Sequence, residues 1–319
     1  MTANLHLRAP EPAPIIARAN PPASIWEWTK LLPPATADVM IFQNVYDQSV
    51  ARELDPDFLP VDGRHNGRTD TREIGLFLRM FHSGLYRRAS ITGILSPKFN
   101  QKCRVSGRAF IEFIRQHPGY NVYFINPFPG NGYYTYNVWY HGELCHARLH
   151  TLAALLFEKA GYDTTPLFHT RDGHATLLYS SYWAGDSEFW SSYLLMITRL
   201  IEAFNSMPSN LQELYRTAPN YYDMRTGEKF DLSYLPFIFE RTFSTFLHLH
   251  PHLRGLAYPF RREEVIARCY DDFEREIVGS FGDIVDEIDR RAEYTEADRK
   301  VFSSLLALRA AGTRHGWCF

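Results

Sequence analysis

Asp38-Val39-Met40-Ile41-Phe42-Gln43-Asn44 decides the reading of this chain. Four apolar side chains run without a break and then give way to two amides. A continuous apolar run of that length suits a strand covered on both faces, and its polar end delivers side chains into a crevice. The pattern returns downstream. Residues 54–63 read as a loop and a short second strand, Ser90-Ile91-Thr92-Gly93-Ile94-Leu95 as a third, and Asn121-Val122-Tyr123-Phe124-Ile125 as a fourth. Between them, residues 69–88 place Ile74, Phe77, Leu78 and Phe81 at helical spacing, and Ser106 caps a helix through Gln116. Residues 45–54 could also start a helix. Strand and helix in alternation, with polar strand tips, predict an α/β domain with an open, mostly parallel sheet flanked by helices. Ligands of such sheets bind at the carboxyl edge of the strands.

Working outward, residues 149–160, 187–204 (capped at Asp186) and 236–248 read as helices, and residues 175–183 as a β-rich run. The stretch 262–311 is helical throughout. The division expected is a Pro-rich mobile leader over 1–24, with Trp26 and Trp28 docking its end, a catalytic domain over 25–260, and a helical extension over 261–319 packed on it.

Composition narrows the function. With 34 Lys+Arg against 36 Asp+Glu the net charge is -2, which disfavours a nucleic-acid partner. Aromatic residues make up 15% of the 319 residues, enough for a large core and a cleft for flat or sugar-like ligands. Cys103, Cys145, Cys269 and Cys318 form no C-x-x-C pair and read as reduced thiols. Apolar runs stop well short of the roughly 18 residues of a membrane span, so a cytoplasmic protein is expected, with peripheral contact at the inner face of the cell membrane left open. The phosphate-binding, dinucleotide-binding, zinc-protease and hydrolase-elbow signatures do not occur.

Several smaller groupings have two readings each. Asp55-Pro56-Asp57 carries two carboxylates that could share a hard cation, or an Asp that caps its own turn; the turn is the expectation. His248, His250 and His252 could ligate zinc on a strand, but Pro251 argues for a solvated helix end. Tyr133, Tyr134, Tyr136, Trp139 and Tyr140 serve equally well as stacking platform or as core. His141-Gly142-Glu143-Leu144-Cys145-His146 reads as a loop with an acid/base pair, and Cys145 with His146 as a candidate nucleophile pair.

The order of four segments resembles a largely uncharacterised family of bacterial polysaccharide glycosyltransferases of the GT-A kind. These are residues 41–47 followed by 54–58, Gly93-Ile94-Leu95-Ser96-Pro97-Lys98-Phe99, the stretch from Asn126-Pro127-Phe128 to His146, and Glu240-Arg241-Thr242-Phe243-Ser244 within a helix. The resemblance implies a GT-A-like fold and transfer of a sugar from a nucleotide-sugar donor to a glycan or lipid-linked acceptor. It implies Gln43, Asn44 and Tyr46 around base and ribose, Lys98 on the diphosphate, and Ser96, Asn126, Asn131 and Arg241 in the rest of the donor site. Asp186, Glu143 and Glu240 are the candidates for the carboxylate that takes the acceptor's proton. Such enzymes usually hold Mn²⁺ or Mg²⁺ on a D-x-D at a central strand tip. Here that tip is Asn126-Pro127-Phe128, so a metal held elsewhere (Asn126, Glu143, His146), metal independence and an inactive binding or assembly protein all stay open, as does an unrelated transferase or hydrolase using Cys145 and His146.

Overall fold

The computed structural model describes residues 37–47, 54–64, 72–217, 221–222, 229–230, 233–291 and 293–312. The leader, Trp26, Trp28, most of the expected helix at 45–54 and Cys318 lie outside the described residues. The quoted stretch is β1 (Ala37–Val45), and β2 (Leu59–Asp62) follows it. Next come α1 (Glu73–His82), β3 (Ala89–Leu95), α2 (Phe99–Cys103), α3 (Gly107–Gln116) and β4 (Val122–Phe124). Ser106 caps α3 as expected, accepting from Ala109 N. A turn of 3-10 helix over Pro129–Tyr133 leads to α4 (Val138–Cys145), α5 (Leu149–Lys159) and α6 (Thr165–His169). Then β5 (Trp183–Gly185), α7 (Ser187–Asn205) and α8 (Ser209–Arg216) precede a two-stranded ribbon of β6 (Tyr221–Tyr222) and β7 (Lys229–Phe230). The chain continues as α9 (Leu235–Leu249), β8 (Gly255–Ala257), α10 (Arg262–Arg268), α11 (Asp272–Asp289) and α12 (Glu296–Gly312).

The protein is α/β, with a mixed six-stranded sheet ordered β2-β1-β3-β5-β4-β8 and flanked by helices. β1 pairs in parallel with β2 and β3, and β4 with β8. β5 is antiparallel to both its neighbours, β3 and β4. The apolar run of β1 is covered on both faces, for the reason read from its sequence. Met40 and Phe42 enter one core cluster and Ile41 another, and in β4 Val122 and Phe124 part from Tyr123 in the same way. Trp190 of α7 donates its indole N–H to Thr92 O at 2.7 Å, fixing that helix to β3.

Three sequence expectations change. Residues 175–182 are turns and irregular chain, and only Trp183 of the expected run is in the sheet, as the first residue of β5. The segment 138–145 is helix, because Asn137 accepts from both Trp139 N and Tyr140 N at its start. The long helical tail divides into α10, α11 and α12, which bury Val265, Val278, Phe302 and Leu305 against Tyr133, Tyr134 and Tyr136. Those tyrosines are core, as is fully buried Trp139, whose indole N–H bonds the Thr245 hydroxyl. No described helix is long and apolar enough to cross a membrane.

Candidate functional site

The tips of β1, β3 and β4 share one edge of the sheet, and the reversal of β5 brings the residues before it to that edge as well. A cleft of about 120 Å³ opens there. Ser96 lines it from the tip of β3 and Phe128 from beyond β4. Ser180, Ser181 and Tyr182 come from the approach to β5. Arg72, Glu73 and Ile74 come from the start of α1, Lys102 from α2, and Pro236, Phe237 and Glu240 from α9.

Its backbone is strained. Among the described residues five non-glycine residues have positive φ, and three line this cleft: Arg72 at 47°, Ser180 at 66° and Ser181 at 51°. Each such residue costs on the order of 1 kcal/mol and persists only where its surroundings hold it. Here Glu240 accepts from Ser180 N at 2.7 Å, and Lys102 Nζ donates to the Ser180 hydroxyl at 3.2 Å. The ammonium also lies 5.7 Å from the centre of the Phe128 ring. Beneath the β3 tip, fully buried Gln43 donates to Ser96 O at 3.0 Å and accepts from Asp55 N at 2.7 Å. It braces the edge and touches no ligand space.

Of the residues singled out in the sequence, Ser96 and Glu240 meet in the cleft, and the others do not line it. Asn44 and Asn126 end their strands at this edge but are buried, and Asn126 accepts from Phe128 N, an Asx turn that shapes the loop. Lys98 begins α2 with its side chain exposed; one helical turn on, Lys102 is the lysine that reaches the cleft. Tyr46 is 46% exposed. Asn131 is buried against Tyr134 and His141, and Arg241 donates to Val138 O and Phe237 O, tying α9 to α4. Glu143 accepts from Arg148 N and His150 N and so caps α5. Asp186 caps α7 and accepts from Asn121, which precedes β4; both stand at the opposite edge of the sheet. A strand read as parallel would have carried Asp186 to the cleft, and the reversal of β5 removes it.

Asp55 accepts from Asp57 N, Asn100 Nδ2 and Gly107 N, so the D-x-D is the turn expected of it. Among the described residues no group of three or more His, Cys, Asp or Glu side chains is placed to hold a metal ion. Asn126, Glu143 and His146 are each engaged elsewhere: Asn126 with Phe128 N, Glu143 with the start of α5, and His146 with the Phe237 ring. Of the three C-terminal imidazoles, His248 pairs with buried Asp172 at 2.7 Å and His250 Nδ1 meets Phe246 O. Cys145 Sγ lies 3.9 and 4.0 Å from the two ring nitrogens of His141, one helical turn back.

His146 stacks on Phe237 with ring centres 3.9 Å apart, behind the cleft wall. Burial, with Arg241 adding to it, pushes its pKa down from 6.5 to about 4. The folded protein therefore lacks a proton that the unfolded chain binds between those values. Stability is full above pH 6.5 and falls as the pH drops through that window. Unfolding in urea at pH 7.5 and pH 5 should show a fall that is about 2 kcal/mol smaller for His146→Phe than for the parent. Equal falls in both proteins would rule this out.

Arg72, Lys102, Ser180, Ser181 and Tyr182 escape a reading of the sequence. The one signal is the Ser180-Ser181 pair, which favours a turn over the strand assigned there. No protein-family model matches the chain, and no curated protein or solved structure matches it either.

Proposed function

We propose that the protein is a glycosyltransferase with a GT-A-like arrangement, and that the cleft at the strand tips holds the sugar diphosphate of its nucleotide-sugar donor. The observation that carries this is the meeting of Glu240, Lys102 and Arg72 around Ser180 and Ser181, at the edge where α/β sheets bind ligands. The ordered segments that resemble the family, and a single reversed strand within an otherwise parallel set, support the same reading.

In the reaction the bond from the anomeric carbon to the diphosphate breaks, and its electron pair leaves on the diphosphate oxygen. The acceptor hydroxyl, on a glycan or lipid-linked molecule, bonds to the anomeric carbon, and its proton passes to Glu240. Glu240 is half-buried and already accepts from Ser180 N, so its carboxylate is held in one place. Phe128 and Phe237 supply the apolar part of the lining. A volume of about 120 Å³ is room for the diphosphate, at roughly 10–15 Å³ for each water-sized unit, so the sugar sits at its mouth and the base lies outside it. Isothermal titration with a panel of nucleotide sugars, with and without Mn²⁺, is expected to find one that binds in the micromolar range. A folded protein that binds none of them would refute the reading.

A further inference from the structure

The charged wall of the cleft has a more specific chemistry. α1 begins with Arg72 at its N-cap, and no side chain there accepts hydrogen bonds from its first turn. Arg72, Glu73 and Ile74 all line the cleft, so the partial positive charge of that helix start faces it. Independently, Tyr182 is 1% exposed and lines the same cavity, yet its hydroxyl completes no hydrogen bond among the described residues. The Ser96 hydroxyl on the same wall interacts with it and offsets part of the effect of its burial, short of a full hydrogen bond by geometry. A buried, unengaged O–H is costly unless something takes up its bond. The described partners of the Lys102 ammonium are the Ser180 hydroxyl and the Phe128 ring, neither of which neutralises it.

We propose that this wall is a phosphate seat that works without a metal ion. Lys102 Nζ, the Arg72 guanidinium, the Tyr182 hydroxyl and the first backbone N–H groups of α1 take the oxygens of the departing diphosphate. They do the work that a cation on strand-tip carboxylates would otherwise do, at a tip where Asn126 stands and already accepts from Phe128 N. Two carboxylates, Glu73 and Glu240, share the cavity. Two positive and two negative side chains suit a ligand with both an anion and hydroxyl groups, phosphate on the cations and sugar hydroxyls on the carboxylates. The identity of the full ligand rests on the glycosyltransferase reading; the seat itself does not.

Inorganic pyrophosphate is the probe, titrated calorimetrically into the full chain in EDTA and then in Mn²⁺. Binding is expected in EDTA, with Lys102→Met weakening it at least tenfold and Tyr182→Phe about threefold. Tyr182→Phe keeps its ring in place and should keep the parent's thermal midpoint, and Lys102→Met, which also loses its bond to the Ser180 hydroxyl, should still unfold in one cooperative transition. Binding that needs Mn²⁺, no binding at all, or parent-like binding by Lys102→Met would overturn the seat. The two proposals fail separately. Pyrophosphate bound in EDTA with no nucleotide sugar bound keeps the seat and removes the donor reading. A nucleotide sugar bound only with Mn²⁺, and indifferent to Lys102→Met, keeps the donor reading and removes the seat.

Discussion

Glu240→Gln is expected to lower kcat about 10³-fold while nucleoside diphosphate affinity stays within about threefold, since a general base contributes roughly 10²–10⁴ in rate. The substitution is close to isosteric. The amide oxygen of the substituted side chain can still accept from Ser180 N, so the bond that holds the strained serine pair survives. What is lost is the ability to take a proton. Single-turnover measurements of sugar transfer and of donor hydrolysis would separate this from a binding defect. A variant with more than a tenth of the parent rate would show that Glu240 is not the base.

The second large effect concerns stability. Arg171 is buried and engages all three of its nitrogens. It donates to the carbonyl oxygens of Gly132, Thr135, Tyr136 and Asp172, and forms a two-pronged pair with Asp289 at 3.0 Å. Its planar face lies 3.9 Å from the centre of the Phe302 ring. One side chain thus joins the 129–137 segment to α11 and α12. Arg171→Met strips donors from four carbonyls and leaves the Asp289 carboxylate without its partner. Breaking a buried pair in this way costs roughly 3–5 kcal/mol, and a drop of about 8 °C in thermal midpoint is expected. Arg171→Lys should recover little, because an ammonium cannot reproduce the planar fork of donors. A midpoint within about 2 °C of the parent for Arg171→Met would refute this role, given that shifts of this kind run to several degrees.

What is legible in the chain follows the strength of its local signals. β1, β3 and β4 are apolar runs with polar ends. α3 and α7 carry Ser106 and Asp186 as caps, and all five elements stand where the pattern puts them. Strand direction is set by pairing across the sheet, and no local pattern encodes it. That is why the sequence places a β-rich run before Asp186 without its direction and offers Asp186 as a site residue, though the reversed strand carries it to the opposite edge. Buried arginine misleads for a related reason. Arg241 looks like a donor ligand in sequence, but it lies against Val138 O and Phe237 O in the interior. Lys98 and Lys102 are equally plausible on paper, and only the path of a five-residue helix decides between them.

The reversal of β5 also bears on how this scaffold could change its chemistry. The chain lines the cleft at Ser180, Ser181 and Tyr182 and then enters the sheet through only three residues. Its tyrosine and two serines face the ligand space, while the ladder with β3 and β4 is made further along. Changing the side chains at Ser180 and Ser181 would alter what the protein accepts, while Leu177, Leu178 and Tyr179 just before them stay in the core and keep the framework standing. In an ancestral lineage, selectivity would be expected to drift first at those two serines.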